Sequence, residues 1–596
     1  MRVSRIVIKN FRSLKYVDVP LSELATSVIG ENNTGKSNFI HALRICLDVT
    51  LSSAFRALLK DDIHCDVDRT KAFQVLIGVE ITEFDGNDNQ EAMLLGTQIG
   101  PDRARIFYRF RPRRRVREAI ESEERDEASL TLEDYSWELV GGGNPAIDLK
   151  DIEWDDDNNE IGASSVGLQY LQAFLVVYLP ALRDVENDLL QPRRSPLTRL
   201  IEASNIDPAE QAALVDVVKV ANAAIESSPT VKTLADSVDA AFKDVTGPAF
   251  SMDVDLGLSE PTFQAIMRNI RVLLSNTAMT DFEPGRNGLG LNNILYISIL
   301  IEYFRKRSAQ GKAAGEIVLI EEPEAHLHPQ LQITLLDALR KLPFQSILTT
   351  HSTHVTSTAR MKSFVFLTNT GATAPFAAAP SQNTALTGAD ADDLERYLDA
   401  TKANLLFARK VMLVEGPAEL FLVPPLVKKI LGVDLEREGI SVIAIHGVHF
   451  GPFSRLFRAD CLPKKCAIVA DADLEPGEIL PPEDDDDEPT KPDIAALTGP
   501  YVQSFLGATT FEREITLDGN LGMLTRVAAE LGAPKITASL ELAEVVGVDD
   551  EIKNKVLRTA KRFGKARFAQ IAARHVEHAT ELPPYIQQAV AWLLTP

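Results

Sequence analysis

The chain has 596 residues, 45% hydrophobic and 25% charged, a balance that fits a globular protein of roughly two to four domains and argues against a disordered or fibrous chain. Its 85 acidic and 62 basic residues leave a formal charge of −23, which opposes general nucleic-acid binding and restricts such contact to local basic patches. The cysteines, Cys46, Cys65, Cys461 and Cys466, form neither a disulfide framework nor a zinc ribbon, and no apolar run is long enough to span a bilayer, so a cytoplasmic protein with no membrane contact is expected.

Val3 to Lys9 alternates as a strand, and Ala25 to Ile29 reads as a buried strand running into Gly30-Glu31-Asn32-Asn33-Thr34-Gly35-Lys36-Ser37. A helical pattern from Asn38 to Ile45 follows, so the loop has the strand–loop–helix setting of a P-loop. Gly30, Asn32, Asn33, Gly35, Lys36 and Ser37 are its candidate nucleotide-binding residues. The glycines let successive N–H groups turn toward phosphates, Lys36 reaches the β/γ-phosphates, and the Ser37 hydroxyl ligates Mg²⁺.

Residues 103–117 hold eight arginines. Read with a period of two, Arg103, Arg105, Arg109 and Arg111 share one strand face. Two expectations stand side by side for that face, a phosphate-binding surface on the one hand and, on the other, a solvated edge strand or pairing with the acidic segment Glu121–Glu127. Leu189–Lys243 reads as amphipathic helices, among them Ala209–Ala224 and Val231–Phe242, expected to form a dimerisation module.

Ile317 to Ile320 forms a short buried strand ending in Glu321-Glu322, where Glu321 suits an Mg²⁺ contact and Glu322 a base that orients attacking water. The next strand, Ser346 to Thr350, ends at His351, placed to sense a γ-phosphate. Thr368 to Asp393 is rich in Ala, Thr, Pro, Gly and Ser and reads as a linker, followed by a helix over Leu394–Phe407.

The strand Lys410–Val414 ends in Glu415-Gly416, and Glu419 follows one helical turn on. A second strand, Cys466–Ala470, ends in Asp471-Ala472-Asp473. Carboxylates at one edge of a parallel sheet make a hard oxygen site suited to Mg²⁺ or Mn²⁺. Gly507–Glu512 is read as another strand closing on a carboxylate. Lys553, Lys555, Arg558, Lys561, Arg562, Lys565 and Arg567 form a basic helix and turn, a solvated face for the most part. Lys565, after a turn glycine, is the exception, able to neutralise charge on a scissile phosphate. The tract Glu483–Glu488 lies between prolines and reads as a solvated loop.

The Asn10-Phe11-Arg12-Ser13 segment, the P-loop, Glu321-Glu322-Pro323-Glu324-Ala325-His326-Leu327-His328-Pro329 and Thr350-His351-Ser352 together resemble the ABC-type ATPase heads of DNA-repair proteins. That resemblance assigns His326 and His328 to a loop at an ATP-dimer interface and leaves Asn287-Gly288-Leu289-Gly290 as a substitute for the family's signature motif. The second half resembles the Toprim fold. The whole order of motifs is similar to the OLD (overcoming lysogenization defect) nucleases, although Glu475 stands where many Toprim sequences carry a third aspartate.

The resemblance implies an α/β protein, an ABC-type ATPase head with a helical insertion followed by a C-terminal Toprim domain with helical additions. Its boundaries are expected at 1–180 and 251–367 for the head, 181–250 for the insertion, 368–393 for the linker and 394–596 for the Toprim domain. It further implies an ATP-binding DNA endonuclease in antiphage defence or DNA processing, acting on double-stranded DNA as a homodimer or higher oligomer, some relatives working with a helicase encoded nearby. Glu415, Glu419, Asp471, Asp473 and Glu512 become metal ligands or acid/base groups for two Mg²⁺ or Mn²⁺ ions, one activating water and the other steadying the leaving 3′-oxygen. Lys565 becomes the transition-state cation. A topoisomerase or primase shares these carboxylates, and a non-cleaving SMC-type clamp accounts for the first half alone.

Overall fold

The computed structural model describes the chain apart from residues 85, 87, 157, 163, 168–170, 172–173, 182–194, 251, 310–314, 370–375, 384, 448, 473–493 and 596. Two compact units emerge, one of Met1–Ala181, Ala314–Glu324 and Pro329–Pro596, the other of Leu182–Ala313 and Ala325–His328. The strands of the first unit begin with β1 (Arg2–Phe11), β2 (Leu14–Pro20), β3 (Ala25–Gly30), β4 (Val75–Thr82), β5 (Gln98–Gly100), β6 (Arg103–Pro112), β7 (Tyr135–Gly141) and β8 (Ser164–Ser165). They continue with β9 (Phe174–Leu179), β10 (Gly315–Glu321), β11 (Gln345–Thr350), β12 (Phe364–Thr368), β13 (Phe376–Ala378), β14 (Lys410–Val414), β15 (Ile440–Ala444), β16 (Cys466–Asp471) and β17 (Val502–Gly507).

Three sheets result. An antiparallel sheet runs β2-β1-β4-β6-β7-β8 with β5 paired to β6, a second runs β13-β12-β3-β11-β10-β9, and the third runs β15-β14-β16-β17. In the second sheet β12, β3, β11, β10 and β9 are parallel, and all four strands of the third are parallel. Helix α1 (Lys36–Leu47) lays Phe39, Ile40, Leu43 and Leu47 into the core shared by the first two sheets. The parallel strands carry near-continuous apolar runs, as burial on both faces requires. The α/β architecture read from the sequence, an ABC-type head with a helical insertion and a C-terminal Toprim domain, is the one observed.

The second unit carries α2 (Pro208–Glu226), α3 (Pro229–Thr246) and α4 (Leu289–Ala309). Asp207 and Ser228 cap α2 and α3 through hydrogen bonds to Ala209 N and Val231 N, each with proline at the first helical position. Gly290, in the substitute signature, lies so near the His326 carbonyl that a Cβ there would stand 2.3 Å from its oxygen.

The arginine-rich segment departs from expectation. The strand stops at Pro112 and Arg114–Glu121 is helical. Arg105, Arg109 and Arg111 are 1%, 0% and 3% exposed, so their face is neither a DNA surface nor a solvated edge. A second small core of Val7, Leu76, Phe107, Val140, Leu149, Ile152 and Ile161 covers it. Buried guanidinium groups require partners, and each has one. Glu80 accepts from Arg105 Nε at 2.8 Å, Arg5 Nη1 at 2.9 Å and Arg103 Nη2 at 2.9 Å. Gln74 Oε1 accepts from Arg109 at 3.1 and 3.0 Å, and Glu138 from Arg111 at 2.6 Å.

The linker reading is also revised. β13 pairs with β12, and Gly388–Tyr397 forms a helix capped by Thr387. The helix expected over Leu394–Phe407 divides, because the Asp399 carboxylate accepts from Thr401 N and Lys402 N and closes a turn before a 3₁₀ segment at Lys402–Leu406. The helical part of the insertion at residues 189–194, the linker residues 370–375 and 384, and the acidic tract Glu483–Glu488 lie outside the described residues.

Glu80 makes the arginine layer testable. Glu80→Ala leaves the buried Arg105 charge uncompensated and is expected to cost about 3–5 kcal/mol in denaturant unfolding. A loss below about 1 kcal/mol overturns its role as the hub.

Candidate functional site

The C-terminal edge of the head's parallel sheet gathers the first set of residues. β3 delivers Gly30 beside Leu367 of β12, where a Cβ would stand 2.0 Å from the Leu367 carbonyl oxygen, so only glycine fits. Gly35, at φ +91°, turns the chain into α1. Lys36 is buried, its Nζ donating to the carbonyls of Gly30 at 2.9 Å and Glu31 at 2.6 Å. Burial pulls its pKa down to about 8, against the pull of Glu322, Glu31 and Glu324. Asn32 and Asn33 lie on the exposed rim of the loop, Asn33 in the left-handed region at φ 63°.

Strand register brings the remaining members to the same edge. Glu321 lies opposite Thr349, and Thr350 opposite Ile29. Glu321 is hydrogen-bonded to Tyr178 and to Ser37, and burial raises its pKa. Glu322, at φ 44°, approaches His351, whose Nε2 is 3.5 Å from Glu322 Oε1. Burial and then the Lys36 cation lower the His351 pKa, which favours its neutral form. Glu324 Oε1 accepts from Thr350 Oγ1 at 2.6 Å and His351 N at 2.8 Å and so fixes the end of β11. Gly30, Gly35, Lys36, Ser37, Glu321, Glu322 and His351 therefore share one edge, and Tyr178 and Glu324 join them. No pattern in the sequence marked Tyr178, since its place follows from the pairing of β9 with β10.

The third sheet gathers the second set in the same way. Glu415 follows β14, and its Oε1 accepts from Asp471 N at the end of β16 at 2.7 Å. Glu419 sits in the first turn of α5 (Pro417–Leu431), where its Oε2 accepts from Gly416 N at 3.1 Å. Glu512 is not a strand-end residue as expected. β17 stops at Gly507, and Glu512 belongs to the short helix α6 (Phe511–Glu514). The neighbouring Phe511 N donates to Asp471 Oδ2 at 2.9 Å, which brings that helix to the sheet edge. Asp473 and Glu475 lie outside the described residues.

The helices that follow include α7 (Pro534–Val546), α8 (Asp550–Phe563), α9 (Lys565–Arg574) and α10 (Pro584–Leu594). Arg513 of α6 bonds Asn554 and, at 3.0 Å, Asp550, which ties α8 to the site. Gly564, at φ +91°, then starts α9 with Lys565, whose Nζ is 2.9 Å from Glu512 Oε2. Burial opposes the Lys565 charge, but Glu512, Asp471 and Glu419 outweigh it and raise its pKa.

Two of the carboxylates, Asp471 and Glu419, resist ionisation. Burial first, then Glu415, lifts Asp471 to about 8, and burial with Glu415 and Glu512 lifts Glu419 to about 7. Glu512 is 1% exposed, and apart from the Lys565 ion contact neither of its oxygens has a hydrogen-bond partner among the described residues. Buried anionic oxygens with unused lone pairs fit a divalent cation, since oxygen-only ligands suit Mg²⁺ and Mn²⁺.

The sequence reading missed Tyr585 and Thr510. Tyr585 is 6% exposed on α10, its hydroxyl lacks a hydrogen-bond partner among the described residues, and the nearby charges of Asp471, Glu419, Glu514 and Glu415 add to burial in raising its pKa. Its ring packs on Gly507, the register partner of Asp471, where a Cβ would meet it at 3.2 Å. The glycine ending β17 was the one available signal, since such a residue marks close approach. Thr510 Oγ1 is likewise buried and unpartnered. Glu514 instead accepts from Thr509 N and Oγ1, at 2.9 and 2.6 Å, and stiffens the turn.

A pH dependence follows. Asp471 and Glu419 stay protonated in the fold at pH values where the unfolded chain has ionised them, so the native state binds more protons and stability falls as pH rises from their ordinary values near 4 toward about 7–8. In chelator, the melting temperature is expected to fall over that range, Asp471→Asn to flatten the trend, and Mn²⁺ to restore stability at its upper end. A wild-type melting temperature that rises with pH in chelator contradicts this.

Comparison with known proteins agrees with this layout. The family model described as AAA ATPase domain matches residues 1–127 and 175–356, more than half the chain. The model described as Overcoming lysogenization defect protein-like, TOPRIM domain matches residues 406–473. The chain is 22% identical over 461 residues to Endonuclease GajA of Bacillus cereus (strain VD045), covering 76% of this chain and 72% of that one. It is 22% identical over 496 residues to the Old nuclease of Escherichia phage P2, covering 80% and 78%. Among solved structures, the C-terminal region of the Burkholderia pseudomallei OLD protein is 27% identical and covers 31% of this chain and 97% of that chain, with a TM-score of 0.25. The chain belongs to the AAA ATPase domain family, whose model spans more than half of it, and carries after that domain a Toprim domain like that of the overcoming-lysogenization-defect (OLD) proteins.

Proposed function

We propose that the protein is an ATP-binding, divalent-metal-dependent endonuclease that cuts double-stranded DNA at the Toprim carboxylates. One observation carries this reading. Glu415, Glu419, Asp471 and Glu512 converge on one sheet edge, with Lys565 2.9 Å from Glu512. The relatives named as an endonuclease and a nuclease add to it.

Glu415, Glu419, Asp471 and Glu512, with Asp473, would hold two Mg²⁺ or Mn²⁺ ions, which supply Lewis acidity to the attacking and leaving oxygens. Lys565 balances the negative charge that builds on the scissile phosphate. In the head, Lys36 and the loop from Gly30 through Asn32, Asn33 and Gly35 would hold the phosphates of ATP. Ser37 and Glu321 would hold the Mg²⁺ that accompanies the nucleotide. Glu322 would serve to orient attacking water, and His351 to sense the γ-phosphate.

The insertion supports a homodimer or higher oligomer. Val217 and Val220 on α2 and Leu234, Val238 and Val245 on α3 are 42–86% exposed, apolar surface that a second copy would cover. The setting we propose is cytoplasmic, in antiphage defence, with a helicase encoded nearby as a partner.

Supercoiled plasmid incubated with Mn²⁺ or Mg²⁺, with and without ATP, is expected to be nicked or linearised. Glu415→Ala and Lys565→Ala are each expected to slow cleavage by about a hundredfold or more, with helical content retained by circular dichroism. Plasmid left intact across supercoiled, relaxed and linear forms overturns the nuclease reading.

A further inference from the structure

α7 and α8 enclose a cleft whose lining is cationic. It is lined by Lys535, Ile536 and Ser539 from α7 and by Lys555, Arg558, Thr559 and Arg562 from α8, with a volume of about 280 Å³. No carboxylate lines it, in a chain whose net charge is −23. Lys555, Arg558, Thr559 and Arg562 fall at i, i+3, i+4 and i+7, one stripe of the helix. Ile552, Val556 and Ala560, on another face of the same helix, are buried in the Toprim core, which fixes the stripe in place.

The cations are largely uncommitted. Lys535, Arg558 and Arg562 take part in none of the ion pairs among the described residues. Arg558 spends its Nε on the Asn554 carbonyl at 3.3 Å, and Arg562 lies over the Phe563 ring. Lys555 is partly neutralised by Glu551 at 2.8 Å. Cations set three and four residues apart on one helix face repel one another, and an anionic partner would offset that repulsion.

The partner's spacing can be read from the helix. Lys555 to Arg562 spans seven residues, about 10 Å at 1.5 Å of rise each, and one DNA strand presents a phosphate about every 3.4 Å along the duplex axis. The stripe thus matches roughly three consecutive phosphates, with Lys535 on the opposite wall. It is also directional, because Arg562 is followed, across the Gly564 turn, by Lys565 at the carboxylate site.

We infer that the α7–α8 cleft is a docking groove for the phosphate backbone of duplex DNA, holding a stretch of backbone beside the bond to be cut. The inference rests on the nuclease reading for what happens at Lys565, but the binding itself does not. Arg105, Arg109 and Arg111 of strand β6, by contrast, are committed to buried partners and offer no backbone site.

The test is duplex binding by the full-length Glu415→Ala protein, read by fluorescence anisotropy of a labelled 30-base-pair duplex across a salt series. Lys535→Gln/Arg558→Gln/Arg562→Gln is expected to weaken binding at least tenfold at moderate salt. The slope of log affinity against log salt should fall by about 0.9 for each phosphate that the variant no longer neutralises, so by roughly 2 to 3 overall. Arg562→Gln alone should lower it by about 0.9. The ATPase rate and melting temperature of the triple variant serve as the check that the fold is intact.

Wild-type affinity and slope in a folded triple variant overturn the groove, as does a failure of the parent protein to bind duplex. Equal displacement of the duplex by polyglutamate at matched charge overturns it in favour of an acidic protein partner. Plasmid cleavage by the wild-type protein is scored separately. Cleavage with an unchanged slope removes the groove and keeps the nuclease, while no cleavage with a reduced slope removes the nuclease and keeps the groove.

Discussion

The Toprim half is organised around one electrostatic constraint, the confinement of like charges at a dry sheet edge. Glu415 and Asp471 at the ends of neighbouring parallel strands meet Glu419 and Glu512 from the helices beside them, and burial with the neighbouring charges raises the pKa of Asp471 and Glu419. Such a cluster is stable only if protons, backbone donors or cations compensate it. The fold supplies some of each. Asp471 N donates to Glu415, Gly416 N to Glu419 and Phe511 N to Asp471, while Lys565 stands against Glu512. The helical additions follow from the same need, since Arg513 anchors α8 and α8 delivers Gly564 and Lys565.

A second ion contact joins this half to the P-loop. Glu31 is 12% exposed, and its carboxylate lies 3.2 Å from both Lys464 Nζ and Arg409 Nε. Lys464, 2% exposed, also donates to the Ala408 carbonyl at 2.7 Å, and it precedes β16 as Arg409 precedes β14. The loop carbonyl that holds Lys36 and the carboxylate that holds the roots of two carboxylate-bearing strands thus belong to a single residue. A buried lysine with one carboxylate partner is costly to strand, so the two elements are mechanically tied at Glu31.

How far the sequence disclosed this depends on the range of the signal. Strands that lead into a site were legible because apolar runs and the residues ending them are adjacent in sequence, as at Ile29-Gly30, Ile320-Glu321 and Val414-Glu415. Glu512 was found as a member but assigned to the wrong element, since Phe511–Glu514 is too short for helical periodicity to register. Tyr178 and Tyr585 reach their sites through strand pairing and through helix packing over Gly507, contacts that no local pattern encodes. The arginines of β6 were misread for the same reason. Alternation correctly placed them on one face, but whether that face meets water or a second core depends on where residues 144–161 fold back.

The two sites use one topological feature for opposite electrostatic ends. Both lie at the carboxyl ends of parallel strands, where chains leave the sheet and side chains from neighbouring strands converge. In the head the edge closes on Gly30, Gly35 and a desolvated Lys36 with its pKa near 8, held meanwhile by two carbonyls. Bonded directly only to neutral carbonyls, that buried ammonium is placed to receive an anion, while Glu321 and Glu322 on the same edge suit the cation that would accompany it. In the Toprim sheet the same edge closes on carboxylates, and a single lysine does not balance four of them, which makes it a receiver of cations. Parallel β-structure supplies the convergence, and the residues that end each strand decide the sign of what binds there.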